Sequence, residues 1–389
     1  MLSANANAYE RTSDDQLKDI PSGVRVYRPW AFDSSRHLSV RGRYFQATAL
    51  PDRWATWPLA AVPFGLWLIR RHKIDAIWST YPITTAHRIG EALARRSGLP
   101  WICDFRDPMV EFDEETETWF PLDESVREAR LEIERSCVQR ADALVYCTDS
   151  ARDICLERHT SANTNRFSVV QNGFEERVFS SAEEEMATEE VARRPGVTLL
   201  HSGVLYPGDD RDPTPFFRAM SQLCADGCID GTPIRVMLRA TGFDQTYAPL
   251  IDELNLGSVI ELLPHIEYRS AIKEMLSVDG LLLFQGRTSN PAIPAKLYEY
   301  FRAKKPILGL VHPEGETSRL LSSVNIGHRV KMDDVDQIKV AVSNFIASIK
   351  AGNTPTLDGP QLNSFSRAEN AQQYEKIVNA VLDGRTTSS

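Results

Sequence analysis

Lys296 and Glu299 stand one helical turn apart in the stretch NPAIPAKLYEY (290–300), which follows the apolar run DGLLLF. On a solvated helix face such a pair is an ordinary ion pair, contributing roughly 0.2–0.5 kcal/mol. Where a buried strand gives way to a helix, the same two groups can hold a ligand instead. The unpaired amides and the helix dipole there favour an anion. The local sequence points to such a junction. Leu281 to Phe284 form a short apolar run entered through Asp279-Gly280, as a strand buried in a parallel sheet would. Pro291 and Pro294 hold off helix until about Ala295, after which Leu297, Tyr300 and Phe301 fall at i, i+3 and i+4 and form one packing face. Lys296 and Glu299 are left on another face, close to the helix N-terminus.

The elements that must position them recur along the chain. Strand candidates are 23–29, 74–80, 100–105, 141–148 and 167–173, then 197–203, 234–242, 259–266, 279–286, 306–311 and 326–331. Between them, segments such as HRIGEALARRSG (87–98), SVREARLEIERSCVQRA (125–141) and PFFRAMSQLCADG (215–227) repeat apolar residues at three- and four-residue spacing, which is helical. Alternating β and α implies parallel sheets with helices on both faces. The fold class expected is therefore α/β, with two doubly wound, Rossmann-like domains facing across a cleft. An acidic stretch poor in large apolar residues divides the two strand series. The expected boundaries are an N-terminal domain over 1–180, a linker over 181–196, a C-terminal domain over 197–360 and a helical tail over 361–389 that crosses back to the first domain. Ser364 and Ser366 are both candidate N-caps of that tail helix.

Bulk properties narrow the function. The 389 residues are 42% apolar and 25% charged, as in a globular protein. A formal charge of −9 opposes bulk nucleic-acid binding, which needs a basic surface. Cysteines at 103, 137, 147, 155, 224 and 228 show neither CxxC pairs nor a Cys/His zinc spacing, and Cys103 and Cys147 lie in apolar runs as buried thiols would. With the polar opening MLSANANAYERTSDD, this usage suits a reducing cytoplasm. The apolar segment WPLAAVPFGLWLI (57–69), followed by RRHK, is too short to span a bilayer, which takes roughly 20 residues. It reads either as a core helix or as a peripheral membrane contact through 57–73.

Several blocks carry a family resemblance. STYPITTAHRIGEALARRSGLPWICDFRDP, ADALVYCTDSARD, VVQNGFEERVF, LLHSGVLYPGDDRDPTPFFRAM and IPAKLYEYFRAKKPIL occur in an order that resembles bacterial GT-B glycosyltransferases of the family 4 (group 1) kind, over about residues 74 to 310. The resemblance implies a hexosyltransferase that moves a sugar from a nucleotide-diphosphate donor to a cell-surface polysaccharide or lipid-linked acceptor, with retention of configuration. The C-terminal domain would hold the donor, with no cofactor and no metal. Glu299 matches the glutamate that accepts hydrogen bonds from the donor ribose. Lys296 and Arg211 match the cations at the diphosphate, where they would stabilise the charge of the leaving group. Gly203 would let the chain pass close to the phosphates, and His265, between Pro264 and Ile266, would flank the nucleobase. In the N-terminal domain Arg106 and Asp107, with Asp104 behind them, are the catalytic candidates facing the donor sugar, against the alternative of a salt bridge that shapes the loop.

Two departures qualify the resemblance. The family's first glutamate would stand where this chain has Pro291, so the amides of Ala292 and Ile293 would have to contact the sugar. No Gly-rich turn follows a first strand, so the acceptor side is expected to be incomplete. Two other readings therefore stand beside the leading one: a noncatalytic nucleotide-sugar-binding subunit, and an epimerase acting through the Asp-Phe-Arg-Asp cluster. Asp210 and Asp212 could also be read as a metal-binding Asp-x-Asp, although Arg211 between them fits a phosphate contact.

Overall fold

A computed structural model describes the chain except for residues 11, 13–16, 18–19, 40, 42, 115, 189–194, 209, 228–230 and 387–389. The fold has two compact units, residues 1–171 with 372–389, and residues 172–371.

In the first unit the order is α1 (Ser34–His37), α2 (Pro58–His72), β1 (Ile77–Thr80), α3 (Thr84–Ser97), β2 (Trp101–Arg106), β3 (Glu111–Asp113), β4 (Thr118–Phe120), α4 (Glu124–Arg140), β5 (Ala143–Tyr146), α5 (Asp149–Arg158) and β6 (Phe167–Val169). Four strands form a parallel sheet in the order β1-β2-β5-β6. Its strands are buried runs because both faces are covered. On one face Cys103, Phe105, Leu144 and Tyr146 meet the helices. On the other, Ile102, Ala143 and Val145 meet Tyr374, Ile377, Val378 and Val381 of the C-terminal helix.

The second unit runs α6 (Glu176–Met186), β7 (Val197–Ser202), α7 (Thr214–Ala225), β8 (Ile234–Arg239), α8 (Asp244–Glu253), β9 (Ile260–Leu263), α9 (Tyr268–Ser277), β10 (Gly280–Gln285), α10 (Ala295–Ala303), β11 (Ile307–Val311), α11 (Glu316–Ser323), β12 (His328–Val330), α12 (Val335–Lys350), α13 (Gly359–Asn363) and the start of α14 (Arg367–Thr386), whose later turns belong to the first unit. Its six parallel strands are ordered β12-β11-β10-β7-β8-β9. Read from β9, this is the doubly wound order in which the chain reverses direction between β7 and β10. Alternate residues of β10 serve two cores: Leu281 and Leu283 pack with α9 and α10, while Leu282 and Phe284 pack with α7 and α12.

Three expectations are corrected. Residues 23–29 form no strand; they make one isolated bridge, Leu2 to Tyr27, and most stand exposed, so no sheet neighbour or core fixes them as a ladder. The stretch read as linker from 181 is partly α6: Phe179 and Ala182 are buried, and Arg302 of α10 is clamped by Glu176 and Glu183 at 2.7 and 2.8 Å. Its acidity serves that ion-pair network, and 189–194 lie outside the described residues. The β3–β4 hairpin escaped the sequence reading because its strands have three residues each. At the tail, the Ser366 hydroxyl accepts from the Glu369 amide at 3.2 Å, so of the two candidate caps Ser366 acts.

Candidate functional site

The cluster in the second unit assembles at the reversal point, from the loops after β7 and β10. In an open α/β sheet this is the position where ligands bind. Pro294 is the N-cap residue of α10, and helix begins at Ala295. Leu297, Tyr300 and Phe301 are fully buried, which turns Lys296 and Glu299 toward the end of the sheet. Their hydrogen bonds go elsewhere than to each other. Lys296 Nζ donates to the Ser202 carbonyl at 2.8 Å, and Glu299 Oε1 accepts from the Tyr268 hydroxyl at 2.7 Å.

Burial pushes the Lys296 ammonium down to about 7; the charge of Arg211 acts the same way and Glu299 opposes it. Burial likewise raises the Glu299 carboxyl, against the hydrogen bond from Tyr268 and the charges of Arg367 and Lys296. Beneath them His201 is fully buried and keeps its ring neutral, first through burial and then through Lys296 and Arg211. Its Nδ1 donates to the Leu282 carbonyl at 3.0 Å. Cations crowded into a partly dry pocket repel one another, and an anion would relieve that repulsion. Gly203 makes the approach possible. Its φ is +133°, and a Cβ there would stand 2.4 Å from Lys296 Nζ.

Arg211 is held by its own loop. Its guanidinium lies 5.9 Å over the Tyr206 ring, and Nε is 3.6 Å from Asp210. Asp210 is in turn fixed by the hydroxyls of Thr288 and Ser289, at 2.8 and 2.7 Å. Asp212 accepts from the Thr214 amide at 2.9 Å and from the Gly208 amide at 2.8 Å, tying the loop to the start of α7. Both carboxylates of the Asp-x-Asp thus organise the loop around Arg211, a different role from a metal-ligand pair.

Sequence reasoning missed Tyr268, His201 and Arg367. Tyr268 opens α9 some thirty positions before Glu299, so no spacing rule links them. The Ala292 amide, expected to face a sugar, donates to Ser289 O at 3.0 Å within the turn and is not available. His265 stands exposed just past β9, and among the described residues no contact joins it to Lys296 or Glu299.

The other candidates lie in the first unit at the end of β2, where the ladder to β5 is bulged between Asp104 and Arg106. Arg106 has φ +59°, a strained backbone for a residue with a side chain. Asp104 Oδ2 accepts from Thr80 Oγ1 at 2.9 Å, while Oδ1 is buried without a hydrogen-bond partner. Burial raises the carboxyls of both Asp104 and Asp107, with Arg106 opposing the shift in each. The three residues are neighbours, and Arg106 also faces the Cys147 thiol, which burial pushes up to about 12.

Residues 14–173 match the family described as Glycosyl transferase 4-like domain. The chain has the GT-B fold. Solved structures of glycosyltransferases share it at low identity. A glycosyltransferase from Rickettsia africae aligns with TM-score 0.56 and 11% identity over 83% of this chain and 80% of that one. Anabaena Alr3699/HepE in complex with UDP and glucose gives TM-score 0.56 and 12% identity over 91% and 86%. The trehalose 6-phosphate synthase of Burkholderia multivorans gives TM-score 0.60 and 13% identity over 90% and 78%. No curated protein matches the chain in sequence.

Proposed function

We propose that the protein is a glycosyltransferase that moves a sugar, with retention, from a nucleotide-diphosphate donor to a cell-surface polysaccharide or lipid-linked acceptor at the cytoplasmic side of a membrane. The observation that carries the donor reading is the meeting of Lys296, Arg211 and the Gly203 turn at the strand reversal, beside the Tyr268–Glu299 pair. Lys296 and Arg211 neutralise the diphosphate as it leaves, without a metal at the reaction centre. Glu299, oriented by Tyr268, accepts both ribose hydroxyls. The complex of Anabaena HepE with UDP and glucose, a protein of the same fold, supports a nucleotide-sugar donor. Arg106 and Asp107, with Asp104 behind them, are the catalytic candidates of the first unit.

The acceptor reading draws on α2. Ala61, Val62, Gly65 and Leu68 face its core, whereas Leu59, Trp67, Arg70 and Arg71 are exposed. An apolar stripe ending in arginines suits contact with an anionic membrane surface. Among the described residues no helix is long and apolar enough to cross one.

The test is titration with UDP-, GDP- and ADP-sugars, followed by assays of donor hydrolysis and transfer on the parent and on Glu299→Ala. One base class binding at micromolar concentration, with binding and transfer both impaired in Glu299→Ala, is expected. Full transfer by Glu299→Ala would overturn the assignment. Binding without hydrolysis or transfer to any acceptor would favour a noncatalytic nucleotide-sugar-binding subunit.

A further inference from the structure

A second cluster of chemically able side chains lies in the first unit and takes no part in the proposed transfer. His87 of α3, Cys103 of β2 and Cys137 of α4 are all fully buried, and an imidazole nitrogen and the two sulfurs lie within 4.8 Å of one another. Ser79 Oγ accepts from Trp101 Nε1 at 2.8 Å and stands 2.7 Å from His87 Nδ1, which leaves Nε2 buried without a hydrogen-bond partner. A buried polar atom without a partner costs about 1–3 kcal/mol, so one that persists calls for a reason.

A cluster elsewhere in the same unit shows what a closed structural network looks like. Glu134, Cys155 and His159 also lie within 4.8 Å of one another. There the carboxylate is already neutralised by Arg158, at 2.9 and 2.6 Å, and contacted by His159 at 3.1 Å. Among the described residues, no cation is paired with the His87 cluster.

We propose that His87, Cys103 and Cys137 bind one zinc ion that staples α3 and α4 to β2. Two thiolates and a neutral imidazole balance a divalent cation without residual charge, which an apolar core requires. Binding releases the two thiol protons to solvent. Zinc–sulfur bonds of about 2.3 Å and a zinc–nitrogen bond of about 2.0 Å place tetrahedral ligands roughly 3.5–3.8 Å apart. The present spacing therefore needs to contract by at most about 1.3 Å. The Ser79 hydroxyl, hydrogen-bonded to His87 and to Cys103, is the outer partner that fixes the ring. The ion is acquired as the core closes, since the site is enclosed.

The test uses the full chain, purified without a metal-affinity tag and refolded anaerobically with excess zinc or cobalt, then desalted. We expect one zinc per chain by elemental analysis, and with cobalt a thiolate-to-metal charge-transfer band. Cys103→Ala and Cys137→Ala should each bind zinc more than about 100-fold more weakly, and Ser79→Ala about 10-fold more weakly. Cys224→Ala should bind normally, its side chain lying on the surface. If a cysteine variant fails to fold, the parent's cobalt spectrum decides alone, because the band requires thiolate ligation. Absence of stoichiometric metal, absence of the band, or undiminished zinc in Cys103→Ala would each overturn the proposal.

Discussion

The two sheets differ in one respect that governs their chemistry. In the second unit, strands run outward on both sides of the β7–β10 pair, so two loops diverge there and leave a crevice at their carboxyl ends. In the first unit, as described, β1, β2, β5 and β6 follow one another in a single direction, and β1 is an edge. The charged groups reflect this. At the reversal, Lys296 and Glu299 of α10 meet Arg211 of the distant loop after β7, and two of them are turned by neighbours, Ser202 and Tyr268. At the end of β2, Asp104, Arg106 and Asp107 come from one continuous tetrapeptide whose geometry is set by a bulge and a left-handed residue. Ligand sites arise more readily where the topology parts the chain. A single strand end must strain its own backbone to present the same number of groups.

That contrast can be broken or sharpened experimentally. Lys296→Ala should have the largest effect, lowering the transfer rate by about 100-fold or more through loss of charge at the departing diphosphate. Asp107→Asn, measured in the same assay with matched donor affinity, tells whether the strand-end cluster acts in the reaction at all. A pH titration is next. Free Lys296, with its ammonium held at about 7, becomes neutral above that pH, whereas a bound diphosphate favours the charged form. Affinity for a nucleotide sugar should be flat below pH 7 and fall by up to about tenfold per unit above it, with proton uptake seen by calorimetry in buffers of different ionisation enthalpy. A pH-independent affinity would show that the ammonium does not contact the diphosphate.

Gly203→Ala comes third. Its φ of +133° and the close approach of Lys296 Nζ should cost about 1–3 kcal/mol in stability and displace the lysine. Chemical denaturation and nucleotide titration measure the two effects. Tyr268→Phe removes one hydrogen bond and should weaken donor binding by about 1 kcal/mol, with little change in the unfolding midpoint. The smallest effect expected has the opposite sign. Arg106→Gly relieves the left-handed backbone and should stabilise the first unit by up to about 1 kcal/mol, while impairing transfer if the guanidinium acts there.

Much of this was legible in the sequence. The start of α10 at Ala295 followed from Pro291 and Pro294, and its packing face from the spacing of Leu297, Tyr300 and Phe301, because both depend on local geometry. Most strands of the second unit could be read from apolar runs, since strands buried on both faces cannot be polar; the short edge strand β12, His-Arg-Val, is the exception. The failures have equally local causes. Residues 23–29 alternate like a strand but pair with the N-terminal stretch through one bridge only, and α6 looked like a linker because its apolar side chains are few.

By itself the sequence determined the alternation of elements, the helix boundary beside Lys296 and Glu299, and the candidacy of Arg211 and Gly203. Only the tertiary structure decided what those groups meet: Tyr268 against Glu299, His201 beneath Lys296, and His87 beside Cys103 and Cys137. The physical reason is range. Backbone propensity and side-chain periodicity act over a few residues, whereas a hydrogen bond or a ligand set is made by whichever chain segments the sheet order brings within about 3–5 Å.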